Sequence, residues 1–400
     1  MKIIIQKFGG TSVSTKERRG QVVSKVKEAL QKGFFPVIVV SAMGRKGEAY
    51  ATDTLLSLVD DNFKRNNLQA VDMLMCCGEI ISAVVISNML INEGIESIPL
   101  TGGQAGIITN DSFSEAELLY TNPENIIKVI KLGKIPIVAG FQGITEEGYL
   151  TTLGRGGSDT SACILGEALK ADEIEIYTDV DGIMTADPRI VKEATLINTI
   201  SYNEIFQLAD QGAKVIHPRA VDCARKANIP IVIKNTMNNS KGTLINDFGD
   251  TNKGKIISGI THLNNRTQVT IKLNDNKNNN NYRYLLEILA KNNVSLDLIN
   301  IFPTEQIFTI NSNKKKKVEE ILNKNKLVYK FTDDCSTIAI VGIGMRGVPG
   351  IMAKIINTLG ENSIEILQTA DSNMTIWCLI KSEYVDIALN LLHKAFNLGE

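Results

Sequence analysis

The 400-residue sequence predicts an α/β fold: a mainly parallel sheet sandwiched by helices, followed by two smaller ferredoxin-like βαββαβ domains. Three observations carry this. Up to about residue 245, short apolar runs alternate with helical patterns, the order of a parallel sheet covered on both faces. Past Gly242-Thr243 the composition changes, and the polar stretch 247–255 reads as a linker. Two weakly repeated units then follow, near 268–329 and 336–396, each with the order strand, helix, strand, strand, helix, strand.

Composition narrows the function classes. A hydrophobic share of 44% and a charged share of 22% are those of a globular protein. A formal net charge of -1 argues against nucleic acid or an anionic membrane as partner. The four lysines of 314–317 read as a solvated helix start. Six cysteines, at 76, 77, 163, 223, 335 and 378, form no C-x-x-C pair, and three histidines are too scattered for a zinc site. Free thiols in a reducing cytoplasm are the expectation. The chain enters a strand at once, without the architecture of a signal peptide, and no apolar run approaches the ~20 residues of a membrane helix.

The opening strand, 3–7, contains three consecutive isoleucines and reads as buried and parallel. It breaks at Gly9-Gly10, where Thr11, Ser12 and Ser14 offer caps to a helix over 15–32. Strand, glycine turn and helix N-terminus make an anion site, to which Lys7 adds a mobile charge. The same residues also fit an ordinary βα loop with a surface lysine. No Gly-x-x-x-x-Gly-Lys-Ser/Thr loop occurs, nor any protein-kinase catalytic loop. Further strands are expected at 36–40, 95–99, 135–139, 173–177 and 229–234. Helices are expected at 54–64, 79–91, 125–132, 160–170, 202–211 and 218–227.

In such sheets ligands sit beyond the C-terminal strand ends, where the remaining motifs fall. Ser41-Ala42-Met43-Gly44 follows the second strand, and Thr52-Asp53-Thr54 leads into a helix. Gly78-Glu79 precedes an apolar helical run; an acid there suits the helix dipole and also suits an amino group. After a hairpin from Phe141-Gln142-Gly143 to Thr151-Thr152 comes Gly154-Arg155-Gly156-Gly157-Ser158-Asp159. Its glycines clear space for the planar fork of Arg155, which can clasp a carboxylate; a structural arginine in a glycine turn is the plainer reading. Thr178-Asp179-Val180-Asp181-Gly182 and Thr185-Ala186-Asp187-Pro188-Arg189 supply short polar groups and a guanidinium suited to a nucleotide. Gly212-Ala213-Lys214-Val215-Ile216-His217-Pro218-Arg219 closes the set, with His217 read as a structural hydrogen-bonder.

The text Lys7-Phe8-Gly9-Gly10-Thr11-Ser12-Val13, with the four later motifs in order, resembles the aspartate kinases of the amino acid kinase superfamily, and the resemblance covers the whole chain. It implies the amino acid kinase fold over 1–246, a linker at 247–256 and tandem ACT domains at 257–332 and 333–400. By the same precedent the strand near 257–262 crosses into the second ACT unit. The implied reaction converts ATP and L-aspartate to 4-phospho-L-aspartate and ADP, with Mg2+ bridging the phosphates. Lys7 and Asp159 become catalytic, Asp159 orienting either Lys7 or the substrate ammonium. Ser41, Thr52, Glu79, Arg155 and Ser158 become aspartate contacts. Lys7, Gly9, Gly10, Thr178, Asp179, Met184, Arg189 and Lys214 become nucleotide contacts; Met184 departs from the tyrosine frequent in relatives. The resemblance further implies feedback by lysine, threonine or diaminopimelate at the ACT domains, and a homodimer or dimer of dimers. The loop 344–350 and the segment 368–372 fit the ACT pattern, whereas the equivalent stretch of the first unit, 274–282, departs from it with neither proline nor glycine; the asparagine-rich 274–281 reads as a flexible loop. Two rivals stand beside this reading: a relative acting on glutamate, acetylglutamate or a nucleotide monophosphate, and a catalytically silent amino-acid sensor.

Overall fold

The computed structural model describes residues 1–213, 215–250, 256–272, 281–345 and 347–399. Most of the expected linker, the asparagine-rich loop 274–280, Lys214 and Arg346 therefore lie outside the described residues. The chain divides into two compact units. The first comprises Met1–Ile183, Leu196–Asp210 and Lys214–Thr251; the second comprises Met184–Thr195, Gln211–Ala213 and Asn252–Glu400.

The first unit is built on an eight-stranded sheet. From one edge its strands are Thr199–Ser201, Thr243–Asn246, Ile231–Asn235, Glu173–Thr178, Lys2–Phe8, Phe34–Val40, Ile135–Ala139 and Ser97–Leu100. The last six run parallel, and they are the six expected from the sequence. Lys2–Phe8 sits centrally between Glu173–Thr178 and Phe34–Val40. Its central position explains the isoleucine run: Ile4, Ile5 and Phe8 are fully buried. A smaller four-stranded sheet, ordered Leu118–Thr121, Ile107–Thr109, Gln142–Ile144, Leu150–Thr152, includes the expected hairpin. Its first two strands were invisible in the sequence because three or four residues carry no periodic signal.

Three helices differ from expectation. The glycine turn opens onto a single turn, Gly10–Val13, and the long helix Lys16–Gln31 starts later with Thr15 as its cap. Backbone N–H groups, rather than a long helix's dipole, are what the turn offers an anion. The expected helix 54–64 is two helices, Thr52–Leu56 and Asp61–Asn66, because Asp60 caps the second by accepting from Phe63 N. Thr52 therefore lies in the first turn of a helix.

The helix expected over 79–91 is Leu68–Asn92, 25 residues long. By length and composition alone it could cross a membrane, which corrects the expectation that no apolar run is long enough. Its face bearing Asp72, Met75, Cys76, Glu79, Ala83, Ile86 and Leu90 is buried. Ala83, Ile86 and Leu90 pack with Ile38, Val40 and Ile137 of the sheet, so it is a core helix.

The second unit carries a six-stranded antiparallel sheet ordered Asp297–Ile301, Glu305–Asn311, Gly259–Lys272, Val328–Val341, Thr375–Lys381, Gln368–Asp371. Two 14-residue strands join its halves. Gly259–Lys272 pairs near its end with Glu305–Asn311, while its start, Gly259 to Leu263, pairs with Val341 to Thr337. Helices Asn281–Lys291 and Lys315–Lys324 belong to the first repeat, Ile351–Gly360 and Val385–Ala395 to the second. Met184–Thr195, which interrupts the first unit in sequence, folds here. Thr185 Oγ1 meets the buried His393 Nε2 at 2.9 Å, and Thr195 Oγ1 donates to Leu398 O.

Candidate active site

Lys7 lies one residue from the end of the central strand, and its ammonium pairs with Asp159 Oδ1 at 2.6 Å, the two side chains being 11% and 13% exposed. Asp159 stands in the first turn of helix Gly157–Leu169, where the dipole favours its charge. Two glycines shape this corner. A Cβ on Gly10 would come within 2.7 Å of Ala42 O, so only glycine lets the first turn lie against the 41–44 loop. Gly156 has φ +71°, and a Cβ there would strike the His217 ring at 2.2 Å. Ser158 packs beside Gly140 at the end of a neighbouring strand, and Ser41 N donates to Phe8 O.

Glu79 faces the same loop. Its Oε1 accepts the Ala42 N–H at 3.1 Å, and its Oε2 is buried with no partner among the described residues. Burial pushes this carboxyl up to about 8, against the pull of the Ala42 N–H. An acid 3% exposed with one oxygen unsatisfied is costly unless something donates to it. An ammonium group would.

Arg155 is exposed on the turn between Gly154 and Gly156. His217 caps helix Pro218–Ala227 through Nδ1, which accepts from Arg219 N. Burial first, then the positive charge of Arg219 and Arg155, lowers its pKa despite Asp159, so it is neutral at pH 7. The nucleotide candidates divide. Thr178 O accepts from Thr236 N, and Asp179 forms an ion pair with Arg45 at 2.7 Å. Met184 and Arg189 belong to the second unit, where Arg189 forks onto Asp187.

Arg45 and Arg219 received no role in the sequence reading. Arg219 Nη1 donates to Leu153 O just before the glycine turn, and only its position directly after His217-Pro218 could have marked it. A cavity of about 210 Å3, lined by Ile4, Gln6, Lys25, Glu173, Glu175 and Lys234, opens on the other face of the sheet. Gln6 and Lys7 alternate along one strand and so point to opposite sides.

A lysine ammonium, a buried acid and a glycine turn beyond the C-terminal ends of parallel strands are groups suited to transferring a phosphoryl group to a small acceptor. The sequence model of the amino acid kinase family matches residues 2–235, and that of the ACT domain matches residues 330–394. Aspartokinase 1 of Bacillus subtilis is 42% identical over 405 residues, covering 100% of both chains. The aspartokinase of Geobacillus stearothermophilus is 36% identical, covering 100% of this chain and 98% of its own. The fold matches the crystal structure of E. coli aspartokinase III in complex with aspartate and ADP, with a TM-score of 0.77 at 22% identity over 98% of this chain and 99% of the other.

The chain belongs to the aspartokinases of the amino acid kinase family, with ACT-domain sequence at its C-terminal end. It catalyses transfer of the γ-phosphoryl group of ATP to the side-chain carboxylate of L-aspartate.

Proposed function

We propose that Glu79 and Arg155 hold the α-end of L-aspartate while Lys7 neutralises charge on the transferring phosphoryl group. The observation that carries this is the buried, unsatisfied Glu79 Oε2, which an α-ammonium would satisfy. Arg155, exposed and flanked by glycines, is free to close on the α-carboxylate. Ser41, Thr52 and Ser158 complete the aspartate pocket. The attacking side-chain carboxylate is ionised at neutral pH, so no general base is needed and the neutral His217 is left to its cap. Catalysis then rests on positioning and charge stabilisation. Asp159 holds Lys7 extended until nucleotide phosphate competes for its ammonium.

Nucleotide recognition is assigned to Gly9, Gly10, Thr178 and Asp179, with Lys214, Met184 and Arg189 kept as proposed contacts on the family resemblance. Mg2+ bound to the ATP phosphates would supply neutralisation of their charge, with no dedicated protein cage required. We assign 257–332 and 333–400 as tandem ACT domains that bind an inhibitory end-product amino acid: lysine, threonine or diaminopimelate. Gln306 supports a polar ligand there, since it is 1% exposed and neither of its amide atoms is bonded. Six free cysteines suit a cytoplasmic setting, and the assembly is a homodimer or dimer of dimers.

Steady-state kinetics of Glu79→Gln test the reading. KM for aspartate rises at least tenfold with KM for ATP unchanged; an unchanged aspartate KM overturns it.

A further inference from the structure

Besides Glu79, the long helix Leu68–Asn92 carries one other acidic residue, Asp72, and the reaction as described does not use it. Asp72 is 0% exposed. Its Oδ2 accepts Thr152 N at 2.8 Å and Ser114 N at 2.9 Å; its Oδ1 accepts Thr152 Oγ1 at 2.9 Å and Ser114 Oγ at 3.2 Å. All four donors are neutral, and burial raises its pKa. A fully buried acid with no cation among these partners is expensive to keep in a core helix, so what it holds is informative.

It holds two strands of chain that converge on the arginine turn. Thr152 ends the hairpin two residues before Gly154. Ser114 has φ 74°, a left-handed conformation unfavourable for serine, and its carbonyl lies 3.5 Å from where a Gly154 Cβ would be. Strain of that kind persists only where surrounding bonds over-determine it, and Asp72 supplies two of them. Ala116 N also donates to Thr152 O, locking the two segments together. Asp72 and Glu79 are seven residues apart, two helical turns or roughly 10 Å along one face.

We infer that Asp72 is a positioning residue for the kinase reaction: through Ser114 and Thr152 it fixes the turn carrying Arg155 in register with Glu79 on the same helix. This rests on the assignment of Glu79 and Arg155 to aspartate. The helix acts as a rigid spacer between the ammonium acceptor and the carboxylate fork, and Asp72 is the clamp at its far end. The clamp works by hydrogen-bond geometry. An asparagine can keep both backbone N–H bonds with its oxygen and turn its NH2 toward the two hydroxyl oxygens.

The test is steady-state kinetics and thermal melting of Asp72→Ala, Asp72→Asn and Thr152→Val beside Arg155→Ala. Asp72→Ala should raise KM for aspartate at least tenfold with KM for ATP within twofold; Asp72→Asn should bring it back to within about threefold of wild type. Thr152→Val, which removes one bond without changing shape, should give an intermediate rise, and it keeps the test alive if Asp72→Ala does not fold. A rise for Arg155→Ala with wild-type aspartate KM in Thr152→Val and Asp72→Ala overturns the clamp alone. No effect of Arg155→Ala overturns the underlying assignment. Lowered melting temperature with both KM values unchanged makes Asp72 merely structural and also overturns the inference.

Discussion

The central sheet of the kinase unit carries, among the described residues, two largely buried lysine–carboxylate pairs on its opposite faces, and they differ in what surrounds them. Lys234 pairs with Glu175 in a polar cluster where Glu175 also accepts from Gln6 Nε2 and from the Tyr177 hydroxyl. Every oxygen of that carboxylate is already engaged. Lys7 pairs with Asp159 at a strand end, beside backbone opened by glycines, and the loop after the next strand is held by Glu79, an acid whose second oxygen has no partner among the described residues. On the proposed assignment, the contrast teaches that a buried ion pair can serve a reaction only where its surroundings leave capacity for a third party. A satisfied pair ties neighbouring strands together; an unsatisfied neighbourhood can change partners.

The largest effect that can break this comparison comes from exchanging each lysine. Lys7→Ala is expected to lower kcat by ~10²–10³, the loss typical of one electrostatic donor and far beyond what any loss of stability from its pair with Asp159 would cause. Lys234→Met is expected to do the reverse, leaving kcat near wild type while destabilising by about 3 kcal/mol, the low end for a broken buried pair because Lys234 is partly exposed. Equal losses of activity from both would erase the distinction, and denaturation curves with initial rates read it directly.

Next in size is the pH dependence of aspartate binding. Ammonium needs an ionised Glu79, yet the free carboxyl titrates at about 8. KM for aspartate should therefore fall as pH rises toward about 8, by up to about tenfold per unit, and then level off. The sign for stability is opposite. The folded state binds the Glu79 proton more tightly than the unfolded state, so this residue's contribution to stability declines as pH rises from 4.5 toward about 8. Glu79→Gln should flatten both profiles.

The smallest effect separates a site glycine from a scaffold glycine. Gly20 lies within helix Lys16–Gln31 with nothing within 4 Å of an added Cβ. Gly20→Ala should stabilise by about 0.5–1 kcal/mol at unchanged activity, the ordinary gain in a helix interior. Gly10→Ala must instead displace the 41–44 loop and should lower activity. Melting curves with activity assays of the two variants check this.

How much of this was legible beforehand follows the same physical divide. Most of the six parallel strands announce themselves because strands buried on both faces carry runs of Ile and Val, as in Ile3-Ile4-Ile5, Val37-Ile38-Val39-Val40 and Ile231-Val232-Ile233; Glu173–Thr178 and Ser97–Leu100 show the run least. Lys7, Glu79 and Arg155 stand out as charges among glycines or apolar runs. Asp72 has the same signature, an acid inside an apolar helix, but lies outside the stretch read as helical and so passed unnoticed. Arg45 and Arg219 were hidden for a different reason: each takes its meaning from a partner over sixty residues away, and no local pattern encodes such a pairing. The short strands Ile107–Thr109 and Leu118–Thr121, which lead into and out of Ser114, are too brief to show a period. Met184–Thr195 likewise folds with the second unit through partners about two hundred residues downstream, among them His393, Asn390 and Leu398.

Calorimetry of L-aspartate binding at pH 7, in buffers of differing ionisation enthalpy, puts the central claim to its most direct test. If the amino acid's ammonium displaces the proton of Glu79, close to one proton is released per aspartate bound, and Glu79→Gln releases none. Binding of normal affinity with no proton released by the wild-type enzyme would contradict the account.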